Sequence, residues 1–574
     1  MGGTSSTSRR LDRLADRLAV LAARRARPAG GFVSQPEPRS IGLYARGRQL
    51  VAGNILLAGH LAEAPGVPLW DIAAPPGFVA EAQGFGWLDD VAALGTREAV
   101  ARAQDWTWGW IARYGGGKGP GWTPDLTGRR ITRWVHHATI LLQTRDKAQS
   151  TAFYAALARQ TAYLAKRWRS AAEGLPRFEA LTGLVYAGIS LIGMEGLVDP
   201  ATQALAAACE TDVDAEGGIP TRNPEELLEV LTLLTWSASA MSEASLTVPP
   251  ALSAAIGRIA PALRAVRHSD GALARFHGGD SGAEGRLDQA LAGAGVRAGA
   301  TPAIAMGYAR LHGGRTSVIV DASAPPGGRA ARTAHASTGG FELCSGRRAL
   351  VVNCGSGAAF GADWARASRA TALHSTLGME GVSSSRLGAD GDALEHRAQV
   401  TASRLTVGTE GTDLYLAHDG WLTSHGLTAS RSLTLAHDGR RLSGVDALTA
   451  LTGDARRRFE DVMTQTQMAG ARFAIRFHLH PEVDATLDMG GSAVSMVLRS
   501  GEIWVLRFSG QAELGLEPSA YLERGRVNPR PCLQVVLHGE ARGFETRIGW
   551  TLAKAKDTPL AIRDLDRDDL PVPL

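Results

Sequence analysis

Lysine is almost missing from this chain. It occurs only at positions 118, 147, 166, 554 and 556, so nearly all basic residues are arginine. With abundant alanine and glycine, this reads as coding bias and carries no functional information. Cysteine is also scarce: Cys209, Cys344, Cys354 and Cys532 form no C-x-x-C pair. That argues against a thiolate zinc site and a dithiol redox motif. Cys344 and Cys354 are read as buried small apolar residues. No apolar run approaches the ~18 residues of a membrane-spanning helix. No large charge excess exists either. Lys+Arg 61 against Asp+Glu 57 leaves +4 over 574 residues, which excludes a strongly basic nucleic-acid binder on bulk charge. Gly115-Gly-Gly-Lys-Gly119 lacks P-loop spacing and a preceding strand, so a nucleotide role is not assigned to it.

The N-terminus has Arg9-Arg10, but Asp12, Arg13, Asp16 and Arg17 interrupt the segment a cleavable leader would keep apolar. The default compartment is then the cytoplasm, with the periplasm as the alternative. Leu11, Leu14, Leu18 and Leu21 recur at helical spacing among arginines, making residues 1–30 a basic amphipathic segment. It suits either packing on the body of the protein or docking on a membrane surface.

Beyond it, the periodicity divides the chain in two. Residues 28–80 are rich in Pro and Gly, with room for one or two strands. From about 84 to 300 the apolar spacing is helical, with stretches at 150–170, 176–193, 200–211, 224–246 and 250–267. Eight of the thirteen tryptophans precede residue 170, where they suit a core or a sugar-stacking cleft. After Gly307 the period becomes two. Short strands such as Thr316–Asp321, 349–354, 472–479 and 503–508 are separated by Asp-Gly, Gly-Gly and Ser-Gly turns. The expectation is a helical domain over 31–306, a large antiparallel β-sandwich over 307–560 and a tail over 561–574.

The stretch 333–376 carries the densest chemistry. His335 precedes one strand, Asn353 ends the next, and His374 follows in a Ser/Thr-rich loop, at spacings of 18 and 21 residues. Two imidazoles and an amide carbonyl from neighbouring strand ends can converge on a metal, or simply bond to backbone.

In order along the chain come G-F-G-W-L (84–88), W-T-P-D-L-T-G-R-R (122–130), E-G-G-I-P-T-R-N-P-E-E-L-L-E (216–229) and G-Y-A-R-L-H-G-G-R-T (307–316). The segment from His335 to Leu377, H-D-G-W (418–421), H-G-L (425–427), F-A-I-R-F-H-L-H-P (473–481) and L-E-P-S-A-Y-L (516–522) follow. With these segments the chain resembles the heparinase II/III-like proteins, in particular an alphaproteobacterial group. The resemblance implies an α+β multidomain fold, an N-terminal (α/α) toroid followed by a C-terminal antiparallel β-sandwich. It implies a polysaccharide lyase acting by β-elimination on a uronate-containing acidic polysaccharide. A metal, zinc, would be held by His335, Asn353 and His374. The anionic ligand of the family is an amide here, which weakens a zinc site.

The other family positions are uneven. Thr333 and Ser337 stand where the lyases have His and Asp. Pro224 stands nearest the catalytic Tyr, and the Asn-His pair of the toroid is replaced by Pro176-Arg177-Phe178. Arg222 and Asn223 are candidates to neutralise a uronate carboxylate; Asn223 before Pro224 equally reads as a helix cap. His374 is a further catalytic candidate. Arg129, Arg133, His136 and His277 are candidate substrate contacts, although His136 and His277 suit plain core and loop roles. His418, His425, His478 and His480 are read as structural hydrogen-bonders. The competing expectation is a non-catalytic glycan-binding or cell-envelope scaffold protein on a degenerate lyase fold.

Overall fold

The computed structural model of the chain describes residues 6–555, apart from 35, 36, 284, 298, 300 and 390, with side chains from Leu14 onward. The tail expected over 561–574 lies outside the described residues.

Local signals open the helices. The Thr96 side chain accepts from the Ala99 amide at the head of Arg97–Tyr114, and Asp146 with Gln149 forms a reciprocal capping box for Lys147–Arg167. The helices Pro124–His136, Leu175–Ser190 and Pro224–Glu243 each begin with proline in the first turn and are buried along most of their length. The first two approach closely because both contacts are glycine. A Cβ on Gly128 would lie 2.2 Å from the Glu179 carbonyl oxygen, and one on Gly183 would lie 2.5 Å from the Gly128 Cα.

The early tryptophans resolve into core. Trp87, Trp106, Trp110 and Trp134 are buried around Phe85 and meet it or one another mostly edge to face. Arg130 lies among them, 4.1 Å over the Trp110 ring, donating to Gln160 Oε1 at 2.6 Å and to the Gln83 carbonyl at 2.8 Å.

The first helix, Ser6–Ala23, lies on Lys147–Arg167. The face it buries holds Ala19, Val20 and Ala23, with Asp16 accepting from Arg167 Nε at 2.7 Å. Leu14, Leu18 and Leu21, the stripe visible in the sequence, are exposed instead. Small residues let the two helix axes approach closely, so the alanines face inward. The apolar run 50–57 also divides: helix Tyr44–Ala52 ends at Gly53, whose φ of 90° starts the hairpin Asn54–Leu57/His60–Glu63.

Strands take over at Ile304–Ala305, three residues before the expected switch. Apart from the small pair Arg386–Leu387 and Leu394–His396, they form two large antiparallel sheets. One has eight strands in the order Val400–Val407, Gly411–Trp421, Leu427–Ala436, Arg441–Thr449, Glu545–Lys554, Ile503–Ser509, Ala493–Val497, Asp484–Asp488. The other runs Ala512–Tyr521, Arg530–Ala541, Ala471–Leu479, Arg348–Val352, Phe341–Ser345, Thr316–Asp321, Tyr308–Gly313, Ile304–Ala305, with Leu377–Met379 also on Ala471–Leu479. Their facing side chains build the second core, where Trp550 stacks on Phe341 at 5.9 Å and meets the Phe477 edge at 4.9 Å. A helix, Gly453–Gln465, interrupts the strands. It is capped by Thr452 and buries Ala455, Phe459 and Met463 at helical spacing. Cys344 and Cys354 are free and buried, as expected.

The fold thus comprises a helical N-terminal domain and a C-terminal antiparallel sandwich. Among its antiparallel neighbours, Thr316–Asp321 and Arg348–Val352 end, and Phe341–Ser345 begins, at the edge where Arg222 of the helical domain reaches Asp321.

Because the neighbour of Gly183 is rigid backbone, Gly183→Ala is expected to cost roughly 1–3 kcal/mol through overpacking. A drop in the urea midpoint at unchanged slope is the expected reading.

Candidate functional site

The site forms where those three strand ends meet the loop before Pro224–Glu243. Asp321 ends its strand fully buried. The loop residue Arg222, with φ of 51°, reaches it: Nη2 lies 2.6 Å from Asp321 Oδ1. The same guanidinium donates to the Met306, Ala324 and Gly307 carbonyls at 2.9, 2.7 and 3.0 Å, and lies 4.8 Å over the Tyr308 ring. The Tyr308 hydroxyl donates to the Arg222 carbonyl. Burial would raise the Asp321 carboxyl, but Arg222, His277 and Ser337 together hold it well below the usual carboxylate range.

Asp321 then organises the histidines. Its Oδ2 accepts from Ser337 Oγ at 2.6 Å and lies 3.4 Å from His277 Nε2. That second contact is close but not aligned as a hydrogen bond. His277, at φ 49° in its Gly-rich loop, accepts the His335 amide on Nδ1 at 3.1 Å. Its proton is therefore on Nε2, toward Asp321. His335 Nδ1 lies 3.2 Å from His374 Nε2, and His374 Nδ1 lies 2.9 Å from the Ala370 carbonyl. A carbonyl only accepts, so His374 carries its proton on Nδ1 and His335 donates from Nδ1 to His374 Nε2. Burial pushes all three histidines down, His374 to about 4.

The sequence-predicted trio of His335, Asn353 and His374 is brought together, but its donors are engaged. Asn353 Oδ1 accepts the Ser375 amide at 3.0 Å, and its Nδ2 donates to Glu342 Oε1 at 3.3 Å. The His374 Nε2 lone pair is taken by His335, leaving His335 Nε2 as the one remaining lone pair of the set. As arranged, these donors do not fit zinc. Among the described residues, no group of three His, Cys, Asp or Glu side chains is placed to hold a metal.

The remaining candidates lie elsewhere. Asn223 caps its helix, with Oδ1 accepting from the Glu225 and Glu226 amides at 2.9 and 3.2 Å. Arg129 forks onto Glu179, 2.8 Å from Nε and 2.6 Å from Nη2. Burial lifts the Glu179 carboxyl to about 7 against that pairing. Arg133 Nε lies 3.3 Å from Asp89, which also accepts from His137 and Ser40. His136 is buried between the rings of Tyr186 and Trp236 at 4.8 and 5.1 Å, with neither ring nitrogen partnered. Burial pushes it down to about 3. Further pairs extend this alternation, Arg524 on Glu225 at 2.8 Å and Arg286 on Glu229 at 2.5 Å. His478 is a hydrogen-bonder as expected, reaching Ser519 Oγ at 2.8 Å and the Ala372 carbonyl at 3.0 Å.

Asp321, Glu179 and Glu342 were not singled out from the sequence. Only Asp321 leaves a trace, as an acid closing the otherwise uncharged strand T-S-V-I-V-D. Glu342 takes four partners: Asn353 through backbone and side chain, Arg275 N and His268.

A helical N-terminal domain set against a C-terminal antiparallel sandwich is the fold class that the chain presents. Comparison with known proteins agrees. The description "Heparinase II/III-like, C-terminal" matches residues 296–551. The crystal structure of heparinase III superposes with a TM-score of 0.68 at 13% identity, covering 95% of this chain and 90% of that one. A heparan sulfate lyase from Pedobacter heparinus gives 0.55 at 13% identity, covering 96% and 91%. FtsZ-localized protein C of Caulobacter vibrioides (strain NA1000 / CB15N) is 31% identical over 545 residues, 92% of this chain and 91% of that protein. The chain belongs to the heparinase II/III-like family.

Two predictions follow from the buried polar groups. Arg222→Ala strands Asp321 as an unpaired buried charge and is expected to cost about 3–5 kcal/mol in urea unfolding. His136 titrates near 6.5 when unfolded and about 3 when folded, so the unfolded chain takes the proton first on acidification. Its contribution to stability therefore falls as pH drops below about 6.5. In thermal unfolding between pH 8 and pH 5, His136→Phe should lose less melting temperature than the native chain.

Proposed function

We propose that the chain is a non-catalytic scaffold protein on a lyase fold, working with the FtsZ division assembly in the cytoplasm. The observation that carries this reading is the saturation of Arg222. β-Elimination from a uronate needs a cation free to neutralise the substrate carboxylate and a base at the C5 proton. Arg222 has its guanidinium in four hydrogen bonds to the protein itself. His277, His335 and His374 are each at most 4% exposed. The cations Arg129, Arg286 and Arg524 already face carboxylates, which disfavours a polyanionic chain. The name of the Caulobacter relative supplies the FtsZ association.

A second reading keeps the elimination on an acidic polysaccharide. It is favoured by the lyase fold across nearly the whole chain and by the unspent lone pair of His335 Nε2.

The two readings separate in one pair of measurements. The full chain should sediment with FtsZ filaments. It should give no ultraviolet absorbance of unsaturated product on a panel of uronate polysaccharides. Product that forms with the native chain and disappears in His335→Ala would overturn the scaffold reading.

A further inference from the structure

A trough with a volume of about 970 Å3 lies on the face of the second sheet that points away from the sandwich core. That is the upper end of the ~300–1,000 Å3 of ordinary ligand pockets, with room for a short chain of rings. Its floor follows from small residues in register. Gly378, Ala474 and His538 oppose one another across Leu377–Met379, Ala471–Leu479 and Arg530–Ala541, and Glu513 of Ala512–Tyr521 ends the row. Phe473, Ile475 and Phe477 belong to the core on the other face, so Ala474 faces the trough. A glycine beside an alanine leaves a flat, bare strip. One wall, Ala370 to Ala372, belongs to the loop that carries His374, but none of His277, His335 and His374 lines the trough.

The floor cannot take up another strand. Ala471–Leu479 is paired on both sides at this level, and so is Arg530–Ala541, which spends their backbone groups. A ligand here is held by side chains.

Those side chains are balanced in charge and partly unspent. Arg472, Arg476 and Arg542 stand against Glu380, Glu513 and Glu540, with no excess of either sign. Arg542 is bound to Glu540 at 2.6 Å. Arg472 Nη1 lies 3.7 Å from Glu380 Oε2, too far for a hydrogen bond. The Glu513 side chain has no hydrogen bond or ion pair among the described residues. Arg476 hydrogen-bonds only through Nη1, to Gln534 Oε1 at 3.2 Å. Donors and acceptors therefore stand side by side along the rim. A sugar hydroxyl both donates and accepts, so neighbouring hydroxyls are matched by a guanidinium next to a carboxylate. A polyanion gains nothing from a balanced wall and meets three carboxylates on it.

We propose that this trough binds a neutral oligosaccharide. It lies across the strands, with ring faces on Gly378 and Ala474 and hydroxyls on Arg472, Arg476, Glu380 and Glu513. The ligand class differs from the uronate polymers considered at the junction, and the site stands whether or not the junction is catalytic.

Calorimetric titration of the full chain with chitotetraose, cellotetraose and maltotetraose tests it, with hyaluronan tetrasaccharide as the anionic comparison. Saturable binding of at least one neutral tetrasaccharide is expected, tighter than that of the hyaluronan fragment. Arg472→Ala/Glu513→Ala, both exposed at the rim, should keep the melting temperature and weaken binding by about tenfold or more. Ala474→Trp fills the floor and should abolish binding, with circular dichroism showing the chain still folded. Absence of saturable binding by all three neutral probes overturns the proposal. So does tighter binding of the hyaluronan fragment, or an unchanged affinity in the double variant.

Discussion

One buried ion pair, Arg222 with Asp321, ties the helical domain to the sandwich and builds the histidine cluster at the same time. Asp321 is wholly enclosed, so its charge is tolerable only with a cation and hydrogen-bond donors around it. Arg222 supplies the cation from the loop before an inner helix. It adopts a left-handed backbone, a strain of order 1 kcal/mol that its four hydrogen bonds hold in place. From Asp321 the order propagates outward. Its Oδ2 lies 3.4 Å from Nε2 of His277, whose Nδ1 accepts the His335 amide, and His335 in turn meets His374. Domain packing and site geometry are therefore one network, not a site placed on a finished scaffold. Buried pairs of this kind add little net stability compared with apolar packing; their effect here is to specify a single arrangement of the two domains.

That dependence also explains what could be read in advance. The switch from helical to alternating periodicity near 307 needs only local pattern, and the strands begin at Ile304. Asn223 before Pro224 is a local cap signal, and it caps. The pairing of His335 with His374 was legible through the family resemblance, since strand-end loops converge only in three dimensions. Arg222 shows the limit. An arginine in a sequence declares a need for an anion without saying which one; the anion is Asp321, 99 residues away, rather than a substrate carboxylate. Asp321 itself was silent because one acid at a strand end looks like an ordinary solvated terminus. The leucines of Ser6–Ala23 show another limit. A helical apolar stripe gives a face but not its direction, and close packing on Lys147–Arg167 selected the alanines.

Charge shows the same dependence on place. The chain-wide balance of +4 left room for a local basic track along the junction. The arginines expected there each come with a carboxylate, Arg129 with Glu179, Arg133 with Asp89 and Arg222 with Asp321, and Arg286 with Glu229 and Arg524 with Glu225 repeat the pattern. Alternating pairs neutralise one another at short range and leave little field for a polyanion to feel beyond a Debye length.

A catalytic site for elimination must keep its donors aimed at a place the protein does not fill, because preorganised but unspent dipoles stabilise charge as it develops. At this junction the donors are aimed at the protein's own carbonyls and carboxylates. To free Arg222 for a substrate would mean exposing Asp321 unpaired and releasing three carbonyls, at a cost comparable to a large part of a domain's total stability. A substrate carboxylate offers no more than Asp321 already gives, so nothing drives the exchange. On the proposed scaffold reading, the saturation of Arg222 closes the junction by interactions within the protein, and the fold is kept without the open site that elimination requires.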